Sequence, residues 1–457
     1  MSPPKESHTL SAGEGSGAGS FQRPASASLK RAVWFWHFWA GLLTAPVLVV
    51  IAVTGLFYVF KPELELWWYA DIAAGPPEAE AAWVDPADDE RPLTAIVRSA
   101  AVAAGDDYRA FGIELERGTG RLPAVLFRRE QGGHGFRRVY VDPVTTDVRG
   151  SLPERDLFSI ALALHRRLLA GTPGRLIVEL VTGWTLLSVV MGLVLWWPKT
   201  WKTVRGVLWL RWDGKRYVVW RDVHAVAGAA AAAVVLISTG TGLLYTLIWG
   251  SAYHGVAFAT GQYDLLLDPP KSVATASETL AEIGPDEALA AAVAGGPVPA
   301  RISLNLPSAD DDSFAVESGG HFGPSLTSIT YIDRYDGSVI LRAALADAGP
   351  LAQWTQWNYP LHVGSIGGTA TKVIWAVAVF VVACLPITGI AMYLIRRKPG
   401  KSALPRRIAF PGGRAATAAV VAVGCLLPAV GVSLLTVALI DFCRRRLSRS
   451  GRVPNPV

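Results

Sequence analysis

Cysteine and methionine are scarce in this 457-residue chain, three of each, and charge is missing from long stretches of it. Cys384, Cys425 and Cys443 are scattered, in or beside apolar runs. That spacing excludes a disulfide framework and supplies no iron–sulfur or zinc ligand set, so they read as small apolar side chains. No Gly-x-Gly-x-x-Gly follows a strand-like run and no flavin signature is present, so the chain shows no dinucleotide-binding fingerprint of its own. Asp, Glu, Lys and Arg are absent from 32–60, 223–263, 373–395 and 415–440, and 176–197 holds only Glu179. Each run reaches the roughly 20 apolar residues that cross a bilayer core of about 30 Å. Five transmembrane helices are expected.

The charges that remain define a topology. Residues 198–222 carry seven Lys/Arg against Asp213 and Asp222, and 396–414 carry seven with no acid. Residues 61–157 hold twelve basic and eighteen acidic residues, and 251–355 hold four and thirteen. The positive-inside rule puts the two short basic loops in the cytoplasm and both long segments outside. The formal charge of +6 is thus a topology signal, and no nucleic-acid partner is expected. The fifth helix fits least well: alternation puts the tail outside, yet the tail carries Arg444, Arg445, Arg446, Arg449 and Arg452. Either the rule is broken there, or Pro428 and Gly431 mark a helix that does not fully cross.

The chain repeats itself. His37, Gly41, Thr54, Gly55, Leu56 and Tyr58 recur without gaps as His224, Gly228, Thr241, Gly242, Leu243 and Tyr245. Leu164, His165, Gly171, Thr172, Arg175 and Gly192 recur as Leu361, His362, Gly368, Thr369, Lys372 and Gly389. A tandem duplication with two histidines per half follows. The expected order is a disordered cytoplasmic tail (1–29), a transmembrane helix (32–60), an outer domain (62–153), the His165 segment with helix two (156–197) and a basic loop (198–222). Helix three (223–250), a second outer domain (260–350), the His362 segment with helix four (357–395), a basic loop (396–414), helix five (415–440) and a basic tail (441–457) complete it. The fold class is an α-helical integral membrane protein, with duplicated pairs of transmembrane helices in a four-helix core plus a fifth helix, and two α+β extracytoplasmic domains. In the first of these domains, Ala95 to Ala104 reads as an amphipathic helix, and 111–116, 124–129 and 136–141 alternate like strands. Tyr331, Ile332 and Asp333 stand in the second where Tyr140, Val141 and Asp142 stand in the first.

Topology sorts the histidines by depth. His37 and His224 open helices that run outward and lie near the cytoplasmic side; His165 and His362 precede helices that run inward and lie near the outer side, ahead of breaks at Gly171-Thr172-Pro173-Gly174 and Gly367-Gly368. Two imidazoles at one depth, twice, in an apolar bundle is what bis-histidine haem ligation requires, with Gly41 and Gly228 leaving room for a flat macrocycle. The competing reading of each histidine is an interfacial anchor. Arg166, Arg175 and Lys372 are candidates for the outer haem's propionates, or are interfacial cations. Glu179 is costly in lipid and either relays protons or makes a structural hydrogen bond. The Thr54-Gly55 and Thr241-Gly242 pairs read as close-packing sites between helices. His8, His134, His254 and His321 read as surface residues.

Trp34 to His37, the T-G-L pairs, Leu164-His165 and Leu361-His362, Leu195 to Pro198, Arg221-Asp222-x-His224 and His362 to Gly368 together resemble the PepSY-associated transmembrane proteins over about 30–398. Both outer segments resemble PepSY domains, with Val-Tyr-Val-Asp-Pro-x-Thr at 139–145; the second copy departs, reading Asp333-Arg334 where the first has Asp142-Pro143. Some members of that family are bacterial inner-membrane ferric-siderophore reductases with two haems. The resemblance implies two haem b groups on His37, His165, His224 and His362, a lipid bilayer setting, quinol or a redox partner as donor and a ferric siderophore or other ferric chelate as substrate. It also leaves a second expectation open, a haem-free membrane protein acting in binding or peptidase regulation.

Overall fold

A computed structural model describes residues 25–84, 92–130, 135–153, 155–198, 205–263, 269–273, 282–320, 323–399, 401, 403–405 and 414–450. His8, His134 and His321 lie outside these. Among the described residues four helices are long and apolar enough to cross a membrane: Leu29–Val59, Gly171–Trp196, Arg216–Tyr245 and Ser365–Arg396. The chain is a helical membrane protein with a separate antiparallel sheet.

Helix α1 (Ala25–Val59) leads into a short α2 (Lys61–Trp68), and α3 (Pro92–Ala104) precedes the strands β1 (Tyr108–Glu116), β2 (Ala124–Arg129), β3 (Phe136–Val141) and β4 (Val148–Leu152). Then come α4 (Leu157–Arg167), which carries His165, and α5 (Gly171–Trp196). The second half runs through α6 (Arg216–Gly242), α7 (Ile248–Ala259), α8 (Pro285–Val293), β5 (Arg301–Asn305), β6 (Phe314–Gly319), β7 (Ser328–Ile332) and β8 (Val339–Ala344). It closes with α9 (Pro350–Val363), which carries His362, α10 (Gly368–Arg396), α11 (Arg414–Leu426) and α12 (Pro428–Ser450).

Helices α1 and α6 each pack against both α5 and α10, so α1 and α6 stand diagonally in a four-helix bundle. Its middle is made of small and branched side chains, Ala231, Val235, Ala378 and Val382 with Leu48 and Val189 around them. Small residues let helices approach closely where lipid offers no hydrophobic drive. Two of its buried hydroxyls bond their own helix, Thr44 donating to the Ala40 carbonyl and Thr185 to that of Val181, which removes the penalty of an unpaired donor in an apolar setting.

The break between α4 and α5 falls at Leu168 and Leu169, both in the left-handed region (φ 50° and 55°), and Gly171 to Gly174 form the first turn of α5 rather than the break itself. Pro173 is tolerated there because first-turn amides have no helical partner. Gly174 is required sterically, since a Cβ at this position would lie 1.8 Å from the Arg167 carbonyl oxygen. In the second half the break spans Gly364 to Gly367.

Two expected helices are reshaped. The charge-free run from 223 is not one helix to 250: α6 ends at Gly242, a single turn covers Leu243–Tyr245, and α7 starts at Ile248. The buried Glu179 explains the bend, accepting hydrogen bonds from the backbone amides of Ile248 (2.8 Å) and Trp249 (3.0 Å). These are the orphan first-turn donors of α7, and a carboxylate suits that positive end of the helix dipole. Of the two roles open to Glu179, the geometry supports the structural bond. The fifth helix is likewise not a single crossing over 415–440. In a straight helix Gly424 and Gly431 would be about 10.5 Å apart, yet a Cβ on Gly431 would sit 2.6 Å from the Gly424 Cα. The chain doubles back at Pro428 into a helical hairpin whose tip, Leu427 and Val430, packs on Trp184 and Leu243.

The two long segments, read from sequence as two domains, build one eight-stranded antiparallel sheet in the order β4-β3-β2-β1-β5-β6-β7-β8. The edges meet at β1 and β5, with Ile113 opposite Leu304, so each half covers an edge the other would expose. One core serves both: Leu93 and Ile96 of α3 and Ala288 and Leu289 of α8 pack with Ile113, Val125, Phe127, Ile302, Leu304 and Val316. The helices are also tied to each other, because the carboxylate of Asp286 on α8 accepts from the amides of Leu93 and Thr94 and from the Thr94 hydroxyl, at 2.6–2.8 Å. Asp286 thus caps the first turn of α3 from the other half of the chain. Asp286→Ala is predicted to remove about 1–2 kcal/mol of sheet stability, read as a lower thermal midpoint with no change at the bundle's histidines.

Candidate cofactor site

The bundle brings the four repeated histidines together as two pairs. At the end away from the sheet, His37 of α1 faces His224 of α6 with ring centroids 6.2 Å apart. At the sheet end, His165 of α4 faces His362 of α9 at 6.1 Å. From His37 to Ile51, the residue whose carbonyl meets His165, is fourteen positions along α1, and His224 to Ser238 is the same along α6. Both give a separation of about 21 Å between the two levels. The apolar cluster of Ala231, Val235, Ala378 and Val382 lies between them.

Each ring is oriented by its own half of the chain. His37 Nδ1 donates to the Ser188 carbonyl (3.0 Å) and His165 Nδ1 to the Ile51 carbonyl (2.9 Å). His362 Nδ1 donates to the Ser238 carbonyl (2.9 Å). His224 Nδ1 donates to the Thr388 hydroxyl (2.7 Å), which in turn donates a hydrogen bond to the Leu385 carbonyl (2.8 Å). Carbonyl acceptors place the proton on Nδ1, so Nε2 keeps its lone pair. None of the four Nε2 atoms has a hydrogen-bond partner among the described residues. A neutral ring with Nδ1–H bonded and Nε2 open is the form in which histidine ligates metals.

The Thr-Gly pairs are seats for histidine rather than helix–helix contacts alone. Thr54 Oγ1 lies 3.3 Å from His165 Nδ1, and Thr241 Oγ1 lies 3.1 Å from His362 Nδ1. A Cβ on Gly55 would meet His165 Cε1 at 3.0 Å, and one on Gly242 would meet His362 Cε1 at 3.1 Å. Gly192 does the same for His37, at 3.2 Å. Beside the other pair, a Cβ on Gly41 would meet nothing within 4 Å and one on Gly228 only Leu385 at 3.6 Å, so space is open there.

The three candidate cations are dispersed. Lys372 is buried in an ion pair with Glu63 at 2.6 Å. Arg175 reaches the Thr246 carbonyl at 3.5 Å. Arg166 alone adjoins the sheet-end pair, with its guanidinium 5.7 Å from the Tyr245 ring centre, and that ring stands 5.6 Å from His362. His254 is exposed and hydrogen-bonds the Tyr263 hydroxyl at 2.7 Å, which in turn reaches Thr355 of α9. Asp222, of the Arg-Asp-x-His motif, is wholly buried two positions before His224 and is held by Arg211 (2.7 Å) and Arg221 (2.6 Å).

The pairs fit a six-coordinate haem iron. With iron–imidazole bonds of about 2 Å, as for other first-row metals, two axial rings have centroids roughly 6 Å apart. Among the described residues no group of three or more His, Cys, Asp or Glu forms a metal site. Each pair by itself supplies two imidazole ligands.

Comparison with known sequences agrees with the architecture. The family described as the PepSY-associated TM region matches residues 34–396, a span that begins just before His37 and ends with α10. No curated protein matches the chain.

Proposed function

We propose, for a chain that belongs to the PepSY-associated transmembrane family, that the two histidine pairs ligate two haem b groups and make it a transmembrane electron carrier. The observation that supports this most directly is the doubled geometry of the pairs, 6.2 and 6.1 Å between rings with every Nδ1 already bonded. His37 and His224 would hold one group, His165 and His362 the other. Haem supplies one-electron redox chemistry.

The chain's own residues do the rest. The Nδ1 hydrogen bonds fix the tautomer and raise the basicity of each Nε2. Two histidines for each group would leave no protein-side position for oxygen, which favours electron transfer. The small apolar side chains between the levels exclude water.

In the full proposal the halves are a tandem duplication, the sheet lies outside a bacterial cytoplasmic membrane, and quinol or a redox partner donates electrons at the His37–His224 level. The acceptor is a ferric siderophore or related chelate on the sheet side. Hard oxygen chelators grip ferric iron far more tightly than ferrous iron, so one electron is enough to loosen the metal.

A dithionite-reduced minus oxidised spectrum of the purified protein should show the Soret shift of a low-spin haem b. Pyridine haemochrome assay should count two haems per chain. A haem-free preparation from haem-sufficient cells would overturn this and leave the sheet as a binding or peptidase-regulating module.

A further inference from the structure

Between the sheet and the bundle lies an open cleft of about 380 Å³. Its floor includes Tyr58, three residues beyond the Gly55 that touches His165, and Leu162, three residues before His165 itself. The cleft therefore ends about one helical turn, roughly 5 Å, from the sheet-end histidines.

Its wall is the bundle-facing side of β1 to β3. Along these strands Ile113, Val125, Phe127 and Val139 point into the shared core, so alternation turns Leu126, Arg128, Phe136 and Arg138 the other way, and the register sets Arg128 against Phe136 and Leu126 against Arg138. A bulge in β1 between Ala110 and Gly112 re-aims Phe111 to the same side. Phe111 and Phe136 meet edge to face at 6.0 Å, Phe136 remains 59% exposed, and the Arg128 guanidinium lies 5.3 Å from the Phe111 ring centre. Arg128 makes no ion pair among the described residues.

At the inner corner three cations converge on one buried carboxylate: Glu65 receives Lys61 at 2.6 Å, Arg121 at 2.9 Å and Arg138 at 3.4 Å. Burial works against the charge on Glu65, but these cations hold its carboxyl below the ordinary range. Arg138 also pairs with Glu114 at 3.0 Å, and the Asp156 carboxylate lies on the lining too. Lys61 and Arg138, both of which line the cleft, still carry more N–H donors than their bonds to Glu65 and Glu114 use.

None of this is needed by the fold. Matching Tyr331 to Tyr140 places Gly319, Thr327 and Ile329 in the second half where Arg128, Phe136 and Arg138 stand in the first. There Ile329, Tyr331 and Ala343 close into a small apolar cluster. The first half carries exposed aromatics beside several cations on this face, whereas the described strands of the second present there one cation, Arg301, paired with Glu116 at 3.1 Å, and no exposed aromatic.

We propose that this cleft binds an anionic aromatic ligand of the catecholate class, its ring against Phe136 and Phe111 and its anionic oxygens toward Arg138 and Lys61, with Arg128 adding its charge from beside the Phe111 ring. The identification rests on the electron-transfer reading above for its purpose, since a ferric catecholate held here lies next to the sheet-end pair. It does not rest on that reading for its binding, which stacking and charge supply.

The test uses the full chain in nanodiscs and a redox-inert probe, the gallium(III) tris-catecholate complex, with an uncharged gallium(III) tris-hydroxamate as control, both by titration calorimetry. The wild type should bind the catecholate more tightly, and the surface variants Arg128→Gln and Phe136→Ala should each weaken it by roughly tenfold while leaving the hydroxamate unchanged. Equal affinity for the two complexes, or unchanged catecholate binding in both variants, overturns the proposal. Catecholate binding in a protein that carries no haem would uphold the cleft and overturn the redox function. A two-haem protein that ignores the catecholate would do the reverse.

Discussion

His165→Ala and His362→Ala should each lower the haem content from two per chain to one, and the haem lost should be the same one. His37→Ala and His224→Ala should each remove the other. This grouping follows from which rings face each other: His37 with His224 at 6.2 Å, and His165 with His362 at 6.1 Å. With one imidazole gone, the single histidine left at that level would not retain the group through purification. Haemochrome counts give the stoichiometry, and redox titration of each variant shows which midpoint persists. Were losses to group as His37 with His165 and His224 with His362, the pairing across the halves would be refuted while haem binding itself survived.

Gly55→Leu and Gly242→Leu should selectively weaken the sheet-end haem. A first side-chain carbon at these positions already lies 3.0 and 3.1 Å from the histidine rings. A leucine must push the imidazole off its bond to the Ile51 or Ser238 carbonyl, and overpacking of this kind costs about 1–3 kcal/mol. That corresponds to a loss of roughly tenfold to hundredfold in affinity for the group the ring ligates. Haem titration of each variant should show one site weakened and the His37–His224 site intact. If the glycines serve only helix packing, the variants will lower thermal stability and leave both haem affinities and both potentials in place.

Which features could be read from the sequence depends on how far apart the partners lie. The strands at 124–129 and 136–141 follow from local alternation and appear as expected. The four histidines stand out because the sequence pattern around each pair recurs, and the charge pattern alone leads to an expectation of their depths. By contrast, nothing in β1 or β5 says which strand will cover its edge, because alternation reports faces and not neighbours. Their pairing joins residues about 190 positions apart. Lys372 finds Glu63 across 309 positions, which no spacing rule reaches. The Thr-Gly pairs were visible as repeated but not as histidine seats, since repetition shows that a contact matters without showing what is touched. The acceptors Ser188, Ile51 and Ser238 left no signal, because they act through backbone carbonyls that every residue possesses. In the last apolar stretch, Pro428 and Gly431 marked a discontinuity. Only the approach of Gly424 to Gly431 shows that the chain reverses there.

Each histidine takes its orientation from its own half of the chain and finds its opposite ring in the other. Severed near residue 215, neither fragment would own a facing pair, although each would keep two correctly aimed imidazoles and an uncovered strand. Such fragments are built to recombine, and co-expressed halves should restore a ligand geometry that neither possesses by itself.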